Sequence, residues 1–315
     1  MDMSILKLLP GTRKNVSLAP HTTFKIGGPA KYFFIAKSTQ DVVDALKVVK
    51  SCKIPFFVLA GGSNVLIADK GFDGLVIKIQ NTKYQILNTK VHAEAGVSME
   101  TLVRETGKKG LTGLEWAGGL PGSTGGAVRG NAGAFGGEIK DTIAQVFVLN
   151  TKGSVRTLSK KQCRFSYRDS VFKEKSWIVL SATFALKKGD ITKIQSIAKE
   201  HVAYRKDRHP LEYPNAGSMF KNCSLTQFSK KLQEQMAHIV KVDPFPVVPT
   251  AYLISEAGLK GLRVGRAEVS RKHPNYVVNL GGAEEKDVLR LIEKVKKEIK
   301  KKFSVTLEQE VQYVS

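Results

Sequence analysis

A glycine-dense segment over residues 118–137 constrains this chain more than any other feature. It holds nine of the chain's 28 glycines, interleaved with large apolar residues such as Leu120, Val128 and Phe135. A flexible linker would not carry such residues, since it has no core to bury them in. Glycine lets a backbone approach a ligand or another backbone closely. The segment therefore predicts either a ligand-binding loop, the reading we favour, or a dense structural crossing.

A second glycine turn, Gly-Gly-Ser-Asn at residues 61–64, follows a predicted buried strand. Successive N–H groups in such a turn make a concavity that binds anions, although an ordinary tight turn has the same composition. The chain contains neither G-x-G-x-x-G nor G-x-x-x-x-G-K-[ST], which excludes a Rossmann fingerprint and a P-loop. Two separate glycine loops suit one extended, phosphate-bearing cofactor.

Strand and helix patterns alternate along the chain, which indicates α/β or α+β character. Strands are predicted over residues 31–36, 55–60, 75–79, 145–149 and 177–186. Ser38 and Asp41 form a capping box before one amphipathic helix, and two more helices are predicted over residues 191–206 and 285–302. One face of the first of these two carries Ile194, Ile197, Ala198 and Val202, and the stripe of the second is Val288, Leu289, Ile292, Val295 and Ile299. Alternation over residues 305–311 predicts a final strand with Glu308 and Glu310 on one face.

Length and charge narrow the class of protein without choosing a function. A chain of 315 residues with 42% hydrophobic content is long enough for two domains, or three small ones. The net charge of +22 is compatible with nucleic-acid binding, with solvated lysine faces or with small anionic ligands. Aromatic or arginine-rich recognition motifs are missing from the sequence, so we expect no nucleic-acid partner. Three scattered cysteines and the absence of a long apolar run predict a cytoplasmic protein without disulfides, signal peptide or membrane insertion.

Three polar positions are candidates for chemistry, each with an ordinary alternative. Arg168, between Tyr and Asp, is either a surface ion pair or a fixed carboxylate clamp. Ser218, between a glycine and a bulky pair, does not stand in a G-x-S-x-G elbow, and as a proton donor it needs a supporting site. Glu308 and Glu310 serve acid–base chemistry or simply face water. We expect no metal site, because the histidines are not at ligand spacing.

Seven motifs in order carry a resemblance that covers the chain from about residue 20 to its end. They are TTFKIGGPA from Thr22, GGSNVL from Gly61, GLPGSTGGA from Gly119, NAGAFGGE from Asn131, YRDS from Tyr167, NAGSMFKN from Asn215 and LEQE from Leu307. In this set the chain resembles the UDP-N-acetylenolpyruvoylglucosamine reductases, flavoenzymes of peptidoglycan precursor synthesis. Only residues 187–190 separate a strand from the next helix, so the chain resembles the branch without the inserted, tyrosine-bearing loop.

The resemblance implies an α+β flavoprotein of three domains, with a vanillyl-alcohol-oxidase-like (PCMH-type) FAD-binding fold. Its boundaries would be residues 1–85 for FAD-binding subdomain 1, with an N-terminal extension over 1–18, residues 86–200 for subdomain 2, and residues 201–315 for an α+β substrate-binding domain. NADPH would reduce bound FAD, and hydride would pass from flavin N5 to C3 of UDP-N-acetylglucosamine enolpyruvate. A proton at C2 would complete UDP-N-acetylmuramate. We expect a monomer that serves cell-wall biogenesis, cell shape and cell division.

The resemblance also assigns roles residue by residue. Ser218 matches the proton donor, and Arg168 and Glu310 match the groups that polarise the substrate carboxylate and stabilise the enolic intermediate. The matches for FAD contacts are Gly61, Gly62, Ser63, Asn64, Gly122, Ser123, Gly125 and Gly126. The candidate substrate contacts are Tyr167, Arg205, Arg208, Asn222 and Lys260.

Five positions depart from the usual family pattern, although none removes a reacting group. They are Gln309 for Pro, Gln312 for a basic residue, Arg266 for Gly, Pro274 for Ala and Cys223 for Pro. Two alternatives stay open from the residues alone. One is another FAD-dependent oxidase or dehydrogenase on the same cofactor fold, and the other is a basic nucleic-acid-binding protein.

Overall fold

A computed structural model describes residues 2–242 and 245–315 of the chain, with Met1, the start of the expected N-terminal extension, outside them. The helices are α1 (Asp2–Leu8), α2 (Thr39–Cys52), α3 (Met99–Lys108), α4 (Thr124–Gly130), α5 (Ile139–Thr142), α6 (Val171–Glu174), α7 (Ile191–Arg208), α8 (Lys230–Gln235), α9 (Thr250–Glu256) and α10 (Glu285–Phe303). The strands are β1 (Arg13–Ser17), β2 (Pro29–Ala36), β3 (Phe56–Leu59), β4 (Val65–Ile67), β5 (Phe72–Ile79), β6 (Tyr84–Leu87), β7 (Lys90–Glu94), β8 (Leu111–Thr112), β9 (Gly133–Ala134), β10 (Gly137–Glu138), β11 (Ile143–Leu149), β12 (Val155–Ser159), β13 (Ile178–Ala185), β14 (Lys187–Lys188), β15 (Asn215–Ser218), β16 (Cys223–Ser224), β17 (Val247–Val248), β18 (Arg263–Val264), β19 (Ala267–Val269), β20 (Tyr276–Asn279) and β21 (Gln312–Val314).

The chain divides into two compact units. Unit 1 comprises Met1–Val16, Ala30–Gly61 and Phe72–Arg205, and unit 2 comprises Ser17–Pro29, Gly62–Gly71 and Lys206–Ser315. Two short early segments thus group with the C-terminal part of the chain, since β4 pairs in parallel with β21 and Thr23 O accepts from Asn215 N at 3.2 Å. The three linear domains expected from the resemblance stay a prediction, since this division does not test them.

Unit 1 contains two sheets, each with its own hydrophobic cluster. The four-stranded sheet has the order β1-β2-β5-β3, with β2 and β3 parallel to β5. Helix α2 packs by its buried face, which includes Leu46 and Val49, in the cluster of this sheet. The predicted capping box is confirmed, since Asp41 N donates to Ser38 Oγ at 3.1 Å and Ser38 N donates to Asp41 Oδ2 at 3.0 Å. The five-stranded sheet is antiparallel in the order β12-β11-β13-β7-β6.

The connection between β13 and α7 is short, as the sequence predicts. Strand β14 begins one residue after β13 and pairs with β8, and two residues separate β14 from α7. On α7, Ile194 is buried and Ile197 is half-buried, but Val202 is 47% exposed. The apolar face expected for this helix therefore does not extend to Val202, and its last turn in unit 1 buries Arg205 instead.

Unit 2 is built on an antiparallel sheet in the order β15-β20-β19-β18, with α10 in its core. The predicted stripe of α10 is confirmed for Val288, Ile292, Val295 and Ile299, which are buried. Leu291 is buried in place of Leu289, which lies at the edge of the face and is only partly covered. The lysines lie on the rest of the helix surface, as amphipathic spacing requires.

Candidate active site

The two glycine loops meet within unit 1. A Cβ added at Gly61 would lie 2.8 Å from the Cα of Gly122, a distance at which the two backbones would have to separate. Gly122 also has a positive φ of 109°, which favours glycine. The interpretation of residues 118–137 as a dense crossing is therefore correct at this point.

The loop continues into α4 with its N–H groups already engaged by the protein. Thr124 N donates to Val97 O at 2.8 Å, and Gly125 N donates to Ala95 O at 2.9 Å. The side chain of Ser123 is buried and caps the helix by accepting from Gly126 N. A Cβ at Gly125 would lie 2.8 Å from Ala95 Cβ. In this structure Gly125 and Gly126 fix the start of the helix, and the FAD contacts expected for residues 122–126 stay a prediction.

The remainder of the first loop, residues 62–64, belongs to unit 2. Gly62 has φ +67°, and a Cβ there would come within 2.4 Å of His21 O. The carbonyl of Gly62 accepts from Thr23 N at 3.0 Å. Asn64 holds the C-terminal segment, a role that its motif did not indicate. Its side-chain N–H donates to Glu310 O at 3.2 Å, and its main-chain carbonyl accepts from Gln312 N at 3.1 Å.

Ser218 is the last residue of β15, at an irregularity in the sheet. Asn215 pairs with Val278 and Ser218 pairs with Tyr276, so β15 carries one residue more than β20 between these pairs. Gly217, inside the bulge, has φ +79°, and its N–H donates to Asn215 Oδ1 at 3.0 Å. Bulges bend a strand and redirect the side chain that follows. This bulge therefore sets where the half-buried Ser218 points.

Glu310 reaches the same segment from the C-terminal side. Glu310 N donates to Met219 O, and Lys221 N donates to Glu308 O, both at 2.9 Å. The prediction of a strand over residues 305–311 is wrong. Only a single bridge forms there, at Gln309, and regular pairing starts at β21. The physical reason is the short pairing surface, which is limited to residues 219–221. The structure nevertheless brings the Ser218 and Glu310 segments together in unit 2.

The two carboxylates of this segment differ in surroundings. Glu308 is exposed and forms an ion pair with Lys221 at 2.6 Å, so solvation is the better interpretation for it. Glu310 is half-buried and its peptide is fixed on both sides by Met219 and Asn64. Glu310 is thus the residue of the pair whose peptide the fold holds from both sides.

Arg168 lies in unit 1 at the corner of a tight turn, where Ser166 N donates to Asp169 O at 3.1 Å. Its φ is +55°, an uncommon conformation for a side chain of this size. The guanidinium donates to Gly133 O at 2.6 Å and lies 5.1 Å from the centre of the Tyr167 ring. Asp169 accepts from Ser170 N. The half-buried guanidinium is therefore anchored on backbone, which favours a fixed clamp over a mobile surface pair.

The candidate substrate contacts lie in different surroundings. Arg205 is buried in unit 1, with Nε donating to Gly118 O at 2.9 Å and the guanidinium 5.1 Å from the Phe135 ring. Arg208, in unit 2, is exposed and pairs with Asp207 at 2.8 Å. Asn222 accepts from Thr250 N at 3.2 Å, and Lys260 is exposed. The contacts of Arg205 indicate a part in packing the glycine-rich segment, and the substrate roles of all these residues stay predictions.

Burial shifts the pKa of several groups near these segments. Desolvation raises the pKa of the Cys163 thiol to about 12 and also raises that of Cys223, so both thiols are inert at neutral pH. Desolvation lowers the pKa of His273 to about 4, which keeps its imidazole neutral. Within residues 2–242 and 245–315, no cluster of three His, Cys, Asp or Glu side chains could hold a metal ion, and no helix is long and apolar enough to span a membrane.

Sequence reasoning missed Asn275, which is buried behind the Ser218 segment. Its side chain donates to Phe220 O at 2.8 Å and accepts from Phe220 N at 3.1 Å. Asparagine is common on protein surfaces, and nothing in the residues around position 275 marks this one as buried. The pairing of β15 with β20 was the signal needed, and it exists only in the folded chain.

Known proteins match the chain along nearly its whole length. Residues 30–159 match the model of an FAD binding domain, and residues 209–314 match the UDP-N-acetylenolpyruvoylglucosamine reductase, C-terminal domain. Reductases of that name from Caldanaerobacter subterraneus subsp. tengcongensis and Clostridium novyi are 38% and 40% identical, over 95% and 96% of this chain and 92% of each relative. The crystal structure of the Thermus caldophilus reductase superposes with a TM-score of 0.76 at 30% identity, covering 96% of this chain and 100% of that one. The chain therefore belongs to the family of UDP-N-acetylenolpyruvoylglucosamine reductases.

Proposed function

We propose that this protein reduces UDP-N-acetylglucosamine enolpyruvate to UDP-N-acetylmuramate, with FAD bound and NADPH as the hydride donor. Family membership and the FAD-binding domain match support an FAD-dependent oxidoreductase of this kind. The observation that carries the proposal further is the pairing of the Ser218 and Glu310 segments through Met219. A general flavin oxidase has no need for a serine proton donor and a glutamate on two segments that pair with each other.

The close approach of the two glycine loops supports a cofactor site at this place. The backbones at Gly61 and Gly122 approach closely because Gly61 has no Cβ. Gly61, Gly62, Ser63, Asn64, Gly122 and Ser123 would hold FAD, with Gly125 and Gly126 shaping the loop. When bound, FAD would take hydride from NADPH and supply it to C3 of the enolpyruvyl group. The chain's own residues would stabilise the negative charge on the substrate and donate the proton to C2.

Arg168 and Glu310 would stabilise the negative charge that forms on the substrate. Addition of hydride at C3 leaves negative charge spread from C2 onto the substrate carboxylate. A fixed cation and fixed hydrogen-bonding groups stabilise such charge best where they need not reorganise and where water is excluded. The anchoring of Arg168 on Gly133 O and the fixed peptide of Glu310 support these roles.

Ser218 would donate the proton to C2 of the substrate. A serine hydroxyl is a weak acid, so it can protonate only a strongly basic, carbanion-like C2. The proton would leave Ser218 Oγ for C2, and the resulting alkoxide needs nearby donors until solvent restores the proton. The bulge at Gly217 supports this role, because it fixes the direction of the side chain.

The finer assignments belong to the same proposal. Tyr167, Arg205, Arg208, Asn222 and Lys260 are proposed to contact the substrate. We further propose that the enzyme acts as a cytoplasmic monomer and serves peptidoglycan synthesis, cell-wall biogenesis, cell shape and cell division.

One anaerobic experiment tests the reaction. Purified protein should be yellow, NADPH should bleach its flavin absorbance, and the enolpyruvyl UDP-sugar should then restore that absorbance. Product is identified by mass spectrometry as the UDP-sugar carrying two added hydrogen atoms. Flavin that NADPH reduces and only oxygen reoxidises would contradict the proposal and point to an oxidase on the same fold. Protein that cannot bind FAD would contradict both.

A further inference from the structure

We infer that Asn275 is a positioning residue for proton transfer, acting through the backbone that connects Ser218 to Glu310. This inference rests on the proposed function, because it concerns the step assigned to Ser218. It starts from the two side-chain hydrogen bonds between the amide of Asn275 and the peptide groups of Phe220. Asn275 is only 3% exposed, so water does not compete for these bonds.

The sheet alone cannot hold the chain at this point. The pairing of β15 with β20 ends at Ser218 and Tyr276. The residues just before Tyr276 form a turn, in which Tyr276 N donates to His273 O at 2.9 Å. Beyond the end of this pairing, the side chain of Asn275 supplies both a donor and an acceptor to the peptide groups of Phe220.

The opposite edge of the same segment carries Glu310. Met219 N donates to Asn275 O at 2.7 Å, while Met219 O accepts from Glu310 N at 2.9 Å. The peptides of Met219 and Phe220 therefore lie between Asn275 on one side and Glu310 on the other. Ser218 comes directly before them, so a shift of this segment moves the hydroxyl of Ser218 and the backbone of Glu310 together.

The chain offers a matched control in Asn279. It is also 3% exposed and lies at the end of β20, where its side chain donates to Phe24 O and accepts from Gly281 N and Ala283 N. Replacing either asparagine with Asp keeps the size and one acceptor and loses the N–H donor. Only Asn275→Asp removes a bond to the segment that follows Ser218.

The experiment compares Asn275→Asp and Asn279→Asp in separate half-reactions by anaerobic stopped flow. Loss of a buried hydrogen bond costs about 1–3 kcal/mol, equivalent to roughly five- to 150-fold in rate. Asn275→Asp should slow flavin reoxidation by the enolpyruvyl UDP-sugar within that range, with an increased solvent deuterium isotope effect. FAD content and reduction by NADPH should match those of Asn279→Asp. Combined with Ser218→Ala, it should slow reoxidation no further, since both act on one step.

Equal slowing of both half-reactions, or an effect no larger than that of Asn279→Asp, would overturn the inference. An additive effect with Ser218→Ala would do the same. If Asn275→Asp does not fold, Asn275→Ser leaves space instead of a buried carboxyl group and undergoes the same measurements. Wild-type protein whose reduced flavin the UDP-sugar does not reoxidise would instead show that the proposed function is wrong, and this inference with it.

Discussion

The glycine loops of unit 1 and the Ser218 segment of unit 2 fix their backbones in different ways. In unit 1, Gly61 and Gly125 allow contacts that a single Cβ would prevent. In unit 2, polar side chains do this work, with Asn275 bonding Phe220 and Asn64 bonding Glu310. Close packing tolerates no added atom, whereas a hydrogen-bonded support tolerates the size of a substitution and fails when a donor is lost.

The difference matches the task proposed for each region. A cofactor that stays bound needs a surface of fixed shape, which backbone contact provides. A group that passes a proton needs a set direction, which hydrogen bonds provide better than van der Waals contact. Changes at the contact between Gly61 and Gly122 should therefore appear in FAD affinity, and changes at the Ser218 segment in the rate of one half-reaction.

The largest effect is expected for Ser218→Ala. Loss of a general acid lowers the rate of its step by about 10²- to 10⁴-fold. Reoxidation of reduced flavin by the enolpyruvyl UDP-sugar should slow within that range, while reduction by NADPH and FAD content stay as in the wild type. Rapid-mixing absorbance measurements follow both steps. If both steps slow equally, Ser218 is not the proton donor, and the contrast between the two regions weakens.

The second effect is expected for Gly61→Ala, which adds a Cβ 2.8 Å from the Cα of Gly122. Overpacking of this kind costs about 1–3 kcal/mol. If the bound state carries this cost, the affinity for FAD should fall by roughly five- to 150-fold. Fluorescence titration of apoprotein with FAD measures the change. Gly130→Ala is the matched control, since a Cβ at Gly130 meets nothing within 4 Å, and it should leave FAD affinity unchanged. Equal affinities for the two variants would show that the contact between the loops does not shape the cofactor site.

The smallest effect concerns acid stability and unit 2. The pKa of His273 is lowered to about 4, from an ordinary value of 6.5, chiefly by burial, with Lys241 adding in the same direction. The unfolded chain therefore binds more protons than the folded chain between these values, and the free energy of unfolding falls as the pH drops through them. Between pH 8 and pH 5.5 the loss should be on the order of 1 kcal/mol.

Urea unfolding at the two pH values measures this loss, and His273→Gln should remove it. The exposed His238→Gln is the control and should keep the wild-type pH dependence. A pH dependence that His273→Gln does not change would mean that the buried imidazole is not the source.

Local patterns in the sequence were sufficient for the main elements. The capping box at Ser38 and the stripe of α10 depend on residues three and four positions apart, and both are confirmed, apart from the exchange of Leu289 for Leu291. The predictions were wrong where contacts with residues distant in the sequence decide the structure. Val202 is exposed, and the strand expected over residues 305–311 is a single bridge, because its pairing partner is a segment of only three residues.

The candidate site divides in the same way. By motif and order, the sequence by itself determined the family, the glycine loops and the identities of Ser218, Arg168 and Glu310 as candidates. Only the tertiary structure decided that Gly61 meets Gly122, that the backbone of Met219 links the segments of Ser218 and Glu310, and that Asn275 holds Phe220. The physical reason is distance along the chain, since these contacts join residues between 55 and 91 positions apart. No local periodicity records such a pairing, because it forms only when the sheets and loops have closed on one another.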